Sequence, residues 1–254
     1  MLDIRQIYND LKEGNPNLTF EKTNVLAEKY MNMRLIDDDL MRVALSNNNE
    51  AVQSVIRPII GNNTLKVKSS VVQDDIQLFV GIKAVKLDIV AYDENGKIYN
   101  IEFQKDIAHA NPERARYHCS MLDSKLLTKG SDTRALPECY VIFITEKDYF
   151  GDGKQIYHID RRIEETEKAF VDKQHIIYVN CEKEDDSELG KLIHDLLCSK
   201  SDTMHNRVLA QAADAAKGLE DLKMYITGIV DNEKEIFASG EAKGFEAGKA
   251  AGFE

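Results

Sequence analysis

Asp88 and Glu102 lie on two short runs, residues 85–92 and 98–104, in which acids are set among β-branched and aromatic neighbours. The runs are joined by Asp93-Glu94-Asn95-Gly96-Lys97, so a β-hairpin is expected. Side chains alternate faces along a strand, and a slip of one residue reverses the whole set; the turn therefore decides whether the two acids meet. A two-residue turn at Asn95-Gly96 would pair Asp88 with Phe103 and send Glu102 to the opposite face. A type I turn over Asp93 to Gly96, with Gly96 as a left-handed bulge, gives a three-residue loop that pairs Asp88 with Glu102. The second register is preferred, because Asp suits the first position of a type I turn and Gly supplies the positive φ of the bulge.

Like charges directly opposite on a sheet repel, so this register calls for a shared proton or a cation, and a divalent metal is the simpler answer. Gln104 follows Glu102 on the same face, with Lys86 opposite it. The other face carries Leu87, Ile89, Ala91, Tyr99, Ile101 and Phe103 and reads as the core side. The competing reading is a solvated hairpin face with incidental charges.

The chain of 254 residues, 43% of them hydrophobic, is long enough for one large domain or one and a half ordinary ones, with a real core. No stretch reaches the apolar length of a membrane span, and Asp3, Arg5 and Asp10 stand where a secretory segment would be apolar, so no membrane association and a cytoplasmic location are expected. Cys119, Cys139, Cys181 and Cys198 form no Cys-x-x-Cys pair and read as buried thiols. The net charge of −11 disfavours nonspecific attraction to nucleic acid. A site, however, works through its local potential, and between Lys83 and Lys129 bases slightly outnumber acids.

The elements that must hold the hairpin follow from pattern. Residues 1–32 are polar and helix-prone, broken at Gly14-Asn15-Pro16-Asn17, and read as a mobile or loosely docked helical leader. Residues 37–45 open with Asp37-Asp38-Asp39, acids suited to a helix start, and a second helix from about Glu50 is expected to end or kink at Pro58 before Gly61. Residues 65–72 alternate as a strand, and 74–81 extend it or connect it to the hairpin. Pro112 suits the first position of a helix running to about Thr128. The apolar run 139–144 suits a strand buried on both faces. The order helix, strands, helix, strand gives an α/β mixed sheet flanked by helices. Further strands at 155–163 and 175–180 and a helix at 189–198 extend this domain, taken as 33–200. A helical extension at 201–239 and a Gly/Ala/Glu/Lys-rich tail at 240–254 follow, the tail reading as a weak helix.

Asp88 followed by Glu102-Phe103-Gln104 resembles the Asp…(Asp/Glu)-x-Lys signature of the PD-(D/E)XK nucleases, with Gln where Lys is usual. With Leu87-Asp88-Ile89, Tyr99-Asn100-Ile101, Arg114-Ala115-Arg116-Tyr117, Val141-Ile142-Phe143-Ile144-Thr145-Glu146, Ile156-Tyr157-His158-Ile159-Asp160-Arg161 and Gly190-Lys191-Leu192-Ile193-His194-Asp195 in this order, the chain is similar to the PD-(D/E)XK nuclease family transposases, relatives of the recombination-promoting nucleases. The resemblance spans about 36–207. It implies a restriction-endonuclease-like αβββαβ core, Mg²⁺ dependence with Mn²⁺ as a substitute, and DNA cleavage; a homodimer would suit double-strand cutting.

The resemblance makes Asp88 and Glu102 metal ligands, helped by the backbone carbonyl of Phe103, with Asp39 on the first helix reaching the metal through water. Such a hard ion keeps water and binds through one or two carboxylates and a phosphate oxygen. Gln104 cannot carry the charge of lysine but can orient water. Lys86 is assigned the missing charge, and Arg114 and Arg116 are expected to contact phosphate. Each has a plainer role: Asp39 as a helix-start charge, the arginines as a salt-bridged helix surface, Tyr117 as a packing residue. None of the 6 histidines shows metal spacing along the chain, and no Walker-type glycine loop appears. The alternative to an endonuclease acting in recombination or a mobile element is a nuclease fold that has lost cleavage and binds DNA or protein.

Overall fold

In the computed structural model, which describes residues 3–76 and 84–251, helices begin where capping residues allow. Asp3 accepts from the amides of Arg5 and Gln6 at the start of α1 (Ile4–Leu11), and Thr19 accepts from Lys22 at the start of α2 (Phe20–Met31). These residues were expected as a loose leader. Instead they form one compact unit with the carboxyl-terminal helix, and Arg34–Ala216 form the other.

In the larger unit, α3 (Asp38–Leu45) carries Asp38 and Asp39 in its first turn, and α4 (Asn49–Ile60) is capped by Asn48. Pro58 does not end α4, which continues to Ile60 and stops at Gly61 with φ +68°. Near the end of a helix a missing amide removes a single bond, and the stop falls where glycine takes the left-handed conformation.

Six strands make one sheet in the order β1 (Val67–Ile76), β2 (Val85–Asp93), β3 (Ile98–Gln104), β4 (Cys139–Thr145), β6 (Gln174–Asn180), β5 (Ile156–Ile159). β1, β2 and β3 are antiparallel neighbours, β3, β4 and β6 run parallel, and β5 returns antiparallel on β6. The expected extension at 74–81 is seen as far as Ile76; residues 77–83 lie outside the described residues. The crossover from β3 to the parallel β4 is made by α5 (Pro112–Leu126), with Pro112 in its first turn and the Asn111 side chain accepting from the amide of Arg114. Helix α6 (Glu188–Leu197) and α7 (Arg207–Ala216) complete the unit. Residues 207–216 therefore sit with the sheet, and not in the carboxyl-terminal extension to which their composition assigns them.

The sheet is the mixed α/β sheet flanked by helices that the pattern implies. Every residue of β3 is buried, so this strand has core on both faces. On the face of Ile98, Asn100 and Glu102, the apolar residues Val90, Val141 and Phe143 pack with Ala115, Cys119 and Leu122 of α5. The acidic face is thus roofed by a helix, which excludes the solvated hairpin.

In the smaller unit α8 (Leu219–Ala251) packs with α1 and α2. Lys223 pairs with Asp10 at 2.8 Å, Lys22 pairs with Glu233, and the Tyr30 and Tyr225 rings lie 4.9 Å apart. The glycine-punctuated tail is helical as far as Ala251.

Candidate metal centre

The hairpin closes through the three-residue loop. Gly96 donates to the carbonyl of Asp93 at 3.1 Å, Asp93 donates to that of Lys97 at 3.0 Å, and Gly96 has φ +78°. The Asp93 carboxylate accepts from the amides of Asn95 and Lys97, and from the Tyr99 hydroxyl, which fixes the turn from within. The register Ile89–Ile101, Val90–Asn100, Ala91–Tyr99 follows, and its continuation sets Asp88 beside Glu102.

The ladder itself stops at Ile89–Ile101. Beyond it side chains take over the backbone donors: the amide of Phe103 donates to Asp88 Oδ2 at 2.9 Å, and the amide of Asp88 donates to Glu102 Oε1 at 3.2 Å. Each carboxylate is thereby anchored to the strand that carries the other. A strand residue presents its N–H and C=O to the same edge, so the carbonyl of Phe103 also faces the Asp88 side.

Glu102 is fully buried and Asp88 half-buried, and both carboxyl groups are pushed well above the usual carboxylate range. For Glu102 burial is the main cause and the charge of Asp88 the next, opposed by Arg114. For Asp88 burial again leads; the Phe103 amide opposes it, Asp38 adds to it, and Arg114 and Lys86 oppose it. The acid on the first helix that bears on Asp88 is therefore Asp38. Asp39, the residue singled out from sequence, is turned by one helical step and pairs with Arg42 at 3.1 Å.

Arg114 and Arg116 part company in the same way. Two positions apart on α5 they point to different faces: Arg116 is exposed, whereas Arg114 Nη2 donates to Glu102 Oε2 at 3.2 Å. Arg114 also lines an open cleft of about 480 Å³ with His109, Asn111, Glu113 and Tyr117, so its guanidinium links Glu102 to solvent. Tyr117 packs against the core beneath α5. Gln104 is buried at the end of β3 beside Thr145. Lys86 is exposed and faces Asp75 of β1; since the β2–β3 ladder has ended, no paired rung sets it opposite Gln104.

His118 is the site residue that spacing along the chain does not reveal. It is buried one helical turn after Arg114, whose Nε donates to His118 Nε2 at 3.3 Å, and its Nδ1 lies 3.5 Å from Glu102 Oε1. Burial and the charge of Arg114 hold its pKa down to about 3, so the ring is neutral. A neutral imidazole has one N–H; because guanidinium only donates, Nε2 accepts and Nδ1 carries the proton. Asn100 Nδ2 lies 3.2 Å from that Nδ1, and the same amide hydrogen-bonds the Glu102 carboxylate, while its Oδ1 is buried without a partner among the described residues. The signals were local: Asn100 shares the strand face of Glu102, and His118 shares the helix face of Arg114.

A mixed six-stranded sheet flanked by helices, with Asp88 on β2 and Glu102 on β3, is a PD-(D/E)XK-type α/β fold. Residues 46–197 match the PD-(D/E)XK nuclease family transposases, and the chain belongs to that family. No match is found among curated proteins or among solved structures. The family carries a nuclease or mobile-element role, its substrate is DNA, and its nucleases generally use divalent metals. The matched span contains Asp88, Glu102, Gln104, Arg114 and His118. Among the described residues, no helix is long and apolar enough to cross a membrane.

Proposed function

We propose that this protein is a Mg²⁺-dependent DNA endonuclease acting in recombination or in the movement of a genetic element. The observation that carries the reading is the pair Asp88 and Glu102, brought to one place by the Asp93 turn and left with mutual repulsion that a cation relieves. The donor set fits a hard divalent ion: carboxylate oxygens, with the Phe103 carbonyl on the same strand edge, and no sulfur or imidazole nitrogen needed. Once bound, such an ion supplies Lewis acidity to the scissile phosphate and makes water a stronger nucleophile.

The remaining roles fall to the chain's own groups. Asp88 and Glu102 must give up any shared proton to hold the ion, so binding strengthens as pH rises. Arg114, reaching from Glu102 to the cleft, meets a phosphate oxygen with its planar fork. Gln104 orients the attacking water through its amide, and Lys86, on the Asp88 side, adds long-range positive charge. His118 positions Glu102 and Arg114 without touching substrate. Arg116, exposed on α5, adds a phosphate contact outside the site. A double-strand break calls for two copies, since one carboxylate pair serves one strand.

Gln104 favours a second reading, a nuclease fold that binds DNA without cutting it. Supercoiled plasmid incubated with Mg²⁺ or Mn²⁺ separates the two. Cleavage that chelator stops and that Asp88→Asn and Glu102→Gln each abolish supports the enzyme; DNA binding with no metal-dependent cleavage in the parent chain supports the binding module.

A further inference from the structure

Beyond the acidic site, the junction of α6 and α7 brings together His194, Asp195 and His205, whose potential ligand atoms all lie within 4.8 Å of one another. Asp195 is fully buried in the last turn of α6. Its carboxylate accepts from the amides of His205 and Asn206, both at 2.7 Å, which draws the segment before α7 back onto α6. His194 Nδ1 stands 3.3 Å from Asp195 Oδ1, and the His194 and His205 rings lie 4.7 Å apart at 61°. His205 is exposed, with its ring already against that of His194.

We propose that these residues form a second metal site, for Zn²⁺ or a like borderline ion, that clips α6 to α7. Tetrahedral zinc with bonds of about 2.0–2.1 Å places neighbouring ligand atoms roughly 3.3 Å apart, the separation already present between His194 and Asp195. Two imidazoles and one carboxylate suit that ion, whereas the oxygen-rich pair Asp88 and Glu102 suits magnesium. The two backbone amides on Asp195 fix the carboxylate as supporting hydrogen bonds fix metal ligands elsewhere. Asp195 and His205 also line a groove of about 270 Å³ with Glu188, Lys191 and Asn206, which leaves a solvent position for a fourth ligand, water. The ion-pair partner of the buried carboxylate, His194, is cationic only when protonated; a bound ion supplies the positive charge with both rings neutral.

The site is independent of the nuclease reading, and its test removes the acidic site. Untagged Asp88→Asn protein is titrated with Zn²⁺ by calorimetry and with Co²⁺ by visible absorption, alongside the same chain carrying His194→Gln or His205→Gln. The proposal expects one ion per chain, the intense absorption of tetrahedral Co²⁺, a higher melting temperature with Zn²⁺, and affinity about tenfold or more weaker in each histidine variant. His205 is exposed, so its variant carries the test even if His194→Gln lowers stability. Unchanged Zn²⁺ affinity in the His205 variant, or no tetrahedral Co²⁺ spectrum in the parent, overturns it.

Discussion

The two ends of the β2–β3 hairpin each hold an aspartate, buried at one end and half-buried at the other, with opposite results. At the closed end Asp93 receives two amides of its own loop and the Tyr99 hydroxyl. At the open end Asp88 receives one amide and faces Glu102, whose proton its charge helps to hold in place. Donors supplied by the same loop make a buried carboxylate part of the fold. A buried carboxylate set against a like charge is part of a site, because it stays under tension until a proton or a cation arrives.

The largest effect should come from the open end. Asp88→Asn or Glu102→Gln is expected to lower metal-dependent plasmid nicking by ~10²-fold or more, since several kcal/mol of transition-state stabilisation go with the ion. Neither change should lower the melting temperature of the metal-free protein; a variant that unfolds would make this end structural like the other. The closed end should answer in the reverse sense. Asp93→Ala leaves donors without an acceptor and should cost about 2–3 kcal/mol in denaturant unfolding, with cleavage retained in the molecules that keep the hairpin register.

Smaller changes sharpen the contrast. His118→Gln should weaken Mg²⁺ by about tenfold, read as the ion concentration giving half-maximal cleavage, while kcat at saturating ion changes less. Gly96→Ala places a side chain at φ +78° in open space, so only backbone strain is felt and about 1 kcal/mol should be lost. Loss of cleavage in that variant at full folding would show that the turn sets the acids directly.

Much of this arrangement could be read from residue types. Asp93 and Gly96 dictate the loop, the loop dictates the register, and the register brings Asp88 to Glu102. Pro112 with Asn111 marks the start of α5, and the apolar run at β4 marks a strand buried on both faces. What escaped depends on rotation about helix axes and on packing between distant segments. Asp38 and Asp39 differ by one step of a helix, as Arg114 and Arg116 differ by two, and only the packed helix shows which faces Glu102. The early end of the β2–β3 ladder, which separates Lys86 from Gln104, follows from two side chains capturing backbone amides, a competition that strand periodicity does not register. His194 and His205 meet because Asp195 binds the backbone of the later segment, which no spacing rule anticipates.

The repulsion between Asp88 and Glu102 has a definite pH signature. Both groups hold protons more tightly in the folded than in the unfolded chain. In the window from the ordinary carboxylate range up to their raised values the folded state binds more protons, so stability falls as pH rises through it and the loss is complete above it. A divalent ion should return that stability at the alkaline side. The direct measurement is the melting temperature in chelator from mildly acidic to mildly alkaline pH, repeated with Mg²⁺, for the parent chain and for Glu102→Gln. The parent should lose stability toward alkaline pH and regain it with Mg²⁺, and the variant should show a smaller loss and little response to the ion. Identical curves for the two chains, with and without Mg²⁺, would contradict a shared cation site at these two carboxylates.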